Sequence, residues 1–319
     1  MTQIWVCPAC GCSETRYALP YITRPRAEDA IFTQLALWSC RDCHSHFAEP
    51  CPEPATLAKY YAGTYRMDGR NSAEPAGFPA DNLWYLSRGV SLARLLRSVL
   101  ADTLPEKMRI VDIGAGYGHT IFALRAVMVN QIEATAVEPD PRCHQTLARV
   151  ADHVIATDIT GPVSPESLDG GFHVALLLHV VEHMPDPLAF LKLATKMLKP
   201  GGLLVLEVPN CPMTRVRWYN LETPHVPHLI FFTAAGLESL LKRADLELLL
   251  LDSFGPVFDF TGSYDSSFVR SPVGPSDNIR QGIAPPIPYP IFAESGPDRL
   301  FLRAIARLDA GSKDGFGPG

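Results

Sequence analysis

Residues 108–118 read MRIVDIGAGYG: a short apolar run, an acid at Asp112, then glycines at 114, 116 and 118. A strand that runs into a glycine-rich turn and then a helix presents bare backbone to a ligand. Glycine permits both the tight turn and the close approach. A dinucleotide fingerprint needs its third glycine three residues after the second, and His119 holds that position. The turn therefore suits a nucleotide-like cofactor other than a dinucleotide.

Outward from this stretch, strand-like and helix-like segments alternate. EATAVEPD (133–140), HVIATDI (153–159), FHVALLLHV (172–180) and GGLLVLEVPN (201–210) are short apolar runs. TIFALRAVMV (120–129), RCHQTLARV (142–150) and DPLAFLKLATKMLK (186–199) separate most of them at helical spacing. AAGLESLLKRA (234–244), after a candidate N-cap at Thr233, predicts another helix; LELLLLDS (246–253) and DRLFLRAIARL (298–308) predict the last two strands. Such alternation implies an α/β fold, a doubly wound and mostly parallel sheet covered on both faces. Ligands of these sheets bind beyond the carboxyl ends of the strands, so the terminal residues carry the chemistry. Glu138 ends the second strand, 22 residues after Gly116, where a carboxylate accepts from ribose hydroxyls. Asp158 ends the third, within reach of an adenine amino group.

VDIGAGYG, VEPD, ATDI, LLLHVVEHMPDP and LKPGGLLVLEVPN, in that order over about residues 108–252, resemble the class I S-adenosylmethionine-dependent methyltransferases. The resemblance implies a seven-stranded Rossmann-like sheet and S-adenosylmethionine as cofactor. It places Gly114 and Gly116 along the methionine part, Glu138 at the ribose, Asp158 and Ile159 at the adenine, and His179 near the methionine moiety. Asp112 and Tyr117 border the same cofactor.

Methyl transfer from a sulfonium is an in-line displacement, so the protein must align the acceptor and remove its proton. Histidine is the first candidate base because its pKa lies near neutrality. His179 and His183 follow the fourth strand; His225 and His228 lie in NLETPHVPHLIFFT (220–233), after the fifth. This last stretch is similar to one in small-molecule methyltransferases, many of them acting on sugars. Bacterial deoxysugar C-methyltransferases share an N-terminal zinc module, following tyrosines, and a histidine that matches His228. His225 and Pro227 depart from the tyrosine and glutamate of that pattern. The expected base is His228, over the cofactor mouth, with His225 next. Tyr60, Tyr61 and Tyr65 are candidates to close over the acceptor, and Trp218 and Tyr219 to wall its pocket.

The N-terminal part carries CPAC and CRDC. Cys7, Cys10, Cys40 and Cys43 form the paired knuckles of a tetrahedral zinc site, with Cys12, His44, His46 and Cys51 as nearby substitutes. Four thiolates close the coordination shell, so the zinc is expected to be structural, in a small zinc-ribbon module. Expected boundaries are 1–60 for this module, 61–107 for a helical linker or lid, 108–310 for the methyltransferase domain and 311–319 for a tail. Residues 253–298, with eight prolines from Pro256 to Pro297, form a long loop insertion.

The chain of 319 residues has a formal net charge of −6, and residues 1–60 hold five basic and six acidic side chains. Nucleic-acid capture needs clustered Lys and Arg, which counts against the alternative of a zinc-bearing ribosomal or transfer RNA methyltransferase. No apolar run reaches the roughly 18–20 residues of a membrane span, and no secretory leader is evident. The expectation is a cytoplasmic biosynthetic enzyme with a small-molecule acceptor (a carbohydrate, nucleotide sugar or natural-product scaffold), and a homodimer as candidate assembly.

Overall fold

The computed structural model describes residues 5–22, 28–65, 83–100, 104–128, 132–156, 168, 170–213, 215–216, 227–257 and 299–308. Asp158, Ile159, His225, Trp218, Tyr219, the tail and most of the proline-rich insertion lie outside the described residues.

The larger sheet has seven strands: β4 (Met108–Ile113), β5 (Ile132–Val137), β6 (His153–Ile155), β7 (Phe172–Leu178), β8 (Leu198–Pro209), β10 (Leu246–Val257) and β11 (Arg299–Leu308). Their order is β10-β11-β8-β7-β4-β5-β6. The β6-β5-β4-β7-β8 run pairs in parallel, and β11 enters antiparallel between β8 and β10. The sheet therefore grows from β4 in both directions, and the switch point lies between β4 and β7.

Period-two side-chain alternation divides each central strand between two cores. Val111 and Ile113 of β4, Ala175 and Leu177 of β7, and Leu204 and Leu206 of β8 face one side. Met108, Ile110, Val174, Leu176, Leu203 and Val205 face the other. That second face is covered by α2 (Leu83–Val99), α3 (His119–Met128) and α4 (Pro141–Leu147), through residues such as Leu92, Leu96, Ile121 and Leu147. The first face takes α5 (Pro187–Lys196) and α6 (Ala234–Arg243), through Leu191, Ala194, Leu237 and Leu241. With both faces buried, the strands carry continuous apolar runs instead of alternating polarity. Helix starts follow the expected chemistry. Asp140, Asp186 and Thr233 accept from the backbone N–H of Arg142, Ala189 and Gly236, with proline at the first position of α4 and α5.

The N-terminal part folds into a second, antiparallel sheet of four strands, ordered β1-β2-β3-β9. β1 (Thr15–Pro20), β2 (Ala36–Cys40) and β3 (His46–Glu49) come from the cysteine region, followed by the short helix α1 (Pro54–Lys59). β9 (Ile230–Phe231) comes from the HLIFF stretch far downstream, with Phe47 opposite Ile230. The module is thus completed by the rest of the chain rather than standing beside it. Phe32, Leu37, Phe47 and Leu57 belong to the same buried cluster as Phe232 and Leu237. Thr233 Oγ1 donates to the Cys43 carbonyl at 2.6 Å, and Arg243 donates to the Pro8 and Ala9 carbonyls at 2.9 Å. α6 approaches the second cysteine knuckle so closely that a Cβ on Gly236 would lie 2.0 Å from Ser45 Oγ.

Candidate functional site

Three strand ends meet at the switch point. β4 leads into Gly114, Gly116 and Gly118, all with positive φ of +75°, +56° and +81°. The Gly114 and Ala115 amides donate to the Val137 carbonyl at 2.8 and 3.2 Å, which folds the turn against the end of β5. A Cβ on Gly114 would sit 2.6 Å from Val180 Cγ2, so this position has no room for a side chain. Glu138, 3% exposed, accepts from the Gly116 amide at 2.7 Å and from the Asp140 amide at 3.0 Å. Asp112 lies buried beneath the turn. Burial raises its pKa to about 7; nearby Glu138 and Glu207 push the same way and Arg88 opposes. Tyr117 is half-buried on the turn, its ring edge-on to His119 at 6.4 Å.

β7 ends at His179, which holds a left-handed φ of 59°, a conformation that is strained for a residue with a side chain. Its amide donates to the Glu207 carbonyl at 2.8 Å, and its Nδ1 lies 3.1 Å from Glu182 Oε1. Burial and the Arg88 guanidinium pull its pKa down to about 3, so the ring is neutral. A single 3-10 turn, Val181–His183, then places Glu182 and His183 inside the protein. Glu182 is fully buried and its pKa is raised to about 7 by desolvation; burial lowers that of His183. His228 Nε2 lies 4.0 Å from Glu182 Oε1, and the His183 and His228 ring centroids are 5.0 Å apart. The Tyr61 hydroxyl lies 3.0 Å from His183 Nδ1.

Two expectations change here. His228 is 4% exposed and faces Glu182 from within, not over an open mouth. Backbone pairing draws it in: the Leu229 amide donates to the Glu182 carbonyl at 2.9 Å, and the Ala48 amide to the Leu229 carbonyl at 2.8 Å. Tyr60 and Tyr61 are buried core residues as well, the Tyr60 hydroxyl donating to Asp29 at 2.8 Å.

A second buried network escaped sequence reasoning. Arg88 of α2, Glu207 of β8 and Arg303 of β11 meet near the same strand ends, with Arg303 Nε donating to Glu207 Oε1 at 2.7 Å and Arg88 Nε 3.3 Å from Oε2. Arg303 also lies over the Phe254 ring at 3.9 Å. The available signal was a lone arginine within the apolar run LFLRAIA, since a buried charge must find a counter-charge.

The four knuckle cysteines come together. Cys7 and Cys43 sulfurs lie 3.7 Å apart, and those of Cys10 and Cys40 lie 3.4 Å apart. The hydrogen bond between Cys7 and Cys43 pulls Cys43 down to about 5 and pushes Cys7 up.

A family described as a methyltransferase domain matches residues 86–251. The chain belongs to this family: it is a class I S-adenosylmethionine-dependent methyltransferase. It is 34% identical over 178 residues to a ubiquinone biosynthesis O-methyltransferase of Caulobacter sp. (strain K31), covering 53% of this chain and 69% of that one. It is 26% identical over 165 residues to the protein of that name from Rhizobium leguminosarum bv. trifolii, covering 50% and 63%. Among solved structures, the 1,6-didemethyltoxoflavin-N1-methyltransferase of Burkholderia thailandensis, with its acceptor and S-adenosylhomocysteine bound, aligns at 16% identity and a TM-score of 0.49, covering 92% of this chain and all of that one. No helix among the described residues is long and apolar enough to cross a membrane.

The methyltransferase's own residues fit the cofactor. A buried carboxylate that accepts from two backbone amides stands beside a glycine turn with no Cβ, which suits a ribose diol and an adjoining thioether. The cysteine cluster fits zinc on geometry, because Zn–S bonds of about 2.3 Å set the edges of a tetrahedron at about 3.8 Å.

Proposed function

We propose that this methyltransferase transfers the methyl group of S-adenosylmethionine to a hydroxyl oxygen of a small molecule: a carbohydrate, nucleotide sugar or natural-product scaffold. The observation that carries this reading is the buried convergence of His179, Glu182, His183, His228 and Tyr61 just past β7, beside the glycine turn. Oxygen as the accepting atom is supported by relatives named as O-methyltransferases. In this reading Asp112, Gly114, Gly116, Tyr117 and Glu138, with Asp158 and Ile159, hold the cofactor. The acceptor hydroxyl loses its proton at the histidine–glutamate cluster, in which His228 and His183 are the leading groups and His179 borders the sulfonium. The bound cofactor supplies an electrophilic methyl; the chain orients the acceptor, excludes water and manages the proton. Cys7, Cys10, Cys40 and Cys43 hold a structural zinc.

The test combines calorimetry with S-adenosylhomocysteine and transfer of labelled methyl to a panel of hydroxylated acceptors, with RNA in parallel. Cofactor binding, with label on the small hydroxylated acceptors, is the expected result. Label on RNA alone, or no binding of S-adenosylhomocysteine, overturns the reading.

A further inference from the structure

Glu182, His183 and His228 each offer one ligand atom, and the three atoms lie within 4.8 Å of one another. The chemistry of the group is that of two imidazoles and one carboxylate, a donor set shared by borderline divalent cations such as Zn²⁺, Mn²⁺, Fe²⁺ and Co²⁺. We propose that this cluster is a second metal site, separate from the four cysteines, which holds a divalent cation against the acceptor oxygen. The inference rests on the O-methyl transfer reading and deepens it.

One feature points to an ion, and two others hold the ligands in place for it. Glu182 is completely buried, yet its Oε2 has no hydrogen-bond partner among the described residues. A buried carboxylate oxygen with no donor calls for a positive partner. His183 is held in place through its Nδ1, which lies 3.0 Å from the Tyr61 hydroxyl and 3.3 Å from the Pro227 carbonyl. With Nδ1 engaged by these outer partners, Nε2 is the nitrogen turned to a metal, as second-shell hydrogen bonds orient a ligating imidazole. Hydrogen bonds from two directions fix the third ligand: the backbone N–H of Leu229 donates to the Glu182 carbonyl, and the Tyr21 hydroxyl donates to the His228 carbonyl at 3.0 Å. Metal–nitrogen and metal–oxygen bonds of about 2.1 Å bring ligand atoms to about 3.0–3.4 Å, so small side-chain rotations close the present spacing.

The three ligands leave coordination positions for one or two acceptor oxygens, and a scaffold with adjacent hydroxyls fits best. A bound cation lowers the pKa of a hydroxyl it touches, which makes the oxygen a nucleophile at neutral pH without a strongly basic histidine. The balance is simple. The S–CH₃ bond breaks, an O–CH₃ bond forms, the sulfonium leaves as S-adenosylhomocysteine, and the O–H proton passes to His179, the histidine of the cluster that is not a ligand.

The probe is Mn²⁺, whose preference for nitrogen and oxygen keeps it away from thiolates. Full-length protein with its cysteine site zinc-loaded is titrated with Mn²⁺, and free ion is followed by electron paramagnetic resonance. Calorimetry with S-adenosylhomocysteine runs alongside. One Mn²⁺ per chain is expected, with affinity lowered at least about 10-fold in Glu182→Gln and in His228→Gln, both still binding S-adenosylhomocysteine. Absence of stoichiometric Mn²⁺ from protein that binds S-adenosylhomocysteine, or unchanged affinity in both variants, overturns the metal site and leaves the methyltransferase reading standing. One Mn²⁺ in protein that binds no S-adenosylhomocysteine keeps the site and removes that reading instead.

Discussion

The crevice proposed for the cofactor and the cluster proposed for the acceptor are built from opposite kinds of contact. Gly116 and Glu138 touch across 22 residues, within one strand–helix–strand unit. Tyr61 meets His183 across 122 residues, Thr233 reaches the Cys43 carbonyl across 190, and Tyr21 reaches the His228 carbonyl across 207. The first half presents backbone and a carboxylate at the carboxyl ends of β4 and β5. The second buries imidazoles, a carboxylate and a phenol in a core shared with the cysteine module. A cofactor common to many reactions suits a local device; an acceptor particular to one enzyme suits a pocket assembled from distant parts.

Removing the proposed zinc is the strongest way to break this comparison. Cys7→Ser and Cys40→Ser should release the metal and cost at least about 4 kcal/mol of stability, because the module shares its core and its β9 strand with the acceptor side. Metal analysis with denaturant unfolding checks this; an unchanged midpoint after metal loss would make the module an independent appendage. Glu182→Gln should lower kcat about 100-fold while S-adenosylhomocysteine affinity stays within about 3-fold, which separates the two halves kinetically. Equal losses in both quantities would merge them.

Asp112 sharpens the comparison through pH. Its pKa is raised from 3.8 to about 7, so the folded protein holds a proton that the unfolded chain has released. Stability from this group is complete below about pH 4 and is lost as pH rises towards 7, an effect on the order of 4 kcal/mol. Asp112→Asn should flatten that slope in urea unfolding at pH 4.5 and 7.5. Gly114→Ala should cost about 1–2 kcal/mol, since φ is +75° and the new Cβ meets Val180. Glu138→Gln should weaken S-adenosylhomocysteine about 10-fold by calorimetry, the smallest of these effects, because an amide oxygen still accepts.

Much of the fold was legible because β4, β7 and β8 are continuous apolar runs ending in residues with distinct chemistry. The glycine turn and Glu138 could be read for the same reason: strand ends in a parallel sheet have few places to go. The cysteine spacing announced its own cluster, as two knuckles each hold their thiols on one side. His228 was singled out by the HLIFF pattern, but its inward orientation was not readable. That depends on β9 pairing with β3, a two-residue strand with no periodicity to detect. Glu207 and Arg303 look like ordinary charges until neighbouring strands place them together.

From its residues alone this protein is committed to a doubly wound sheet, a glycine turn and a thiol cluster, since periodicity and turn chemistry act over short spans of chain. Where the histidines face, and that the cysteine module and the methyltransferase sheet close one core, was decided only by packing. Those outcomes come from side-chain-to-backbone hydrogen bonds between segments about 200 residues apart, which no local pattern encodes.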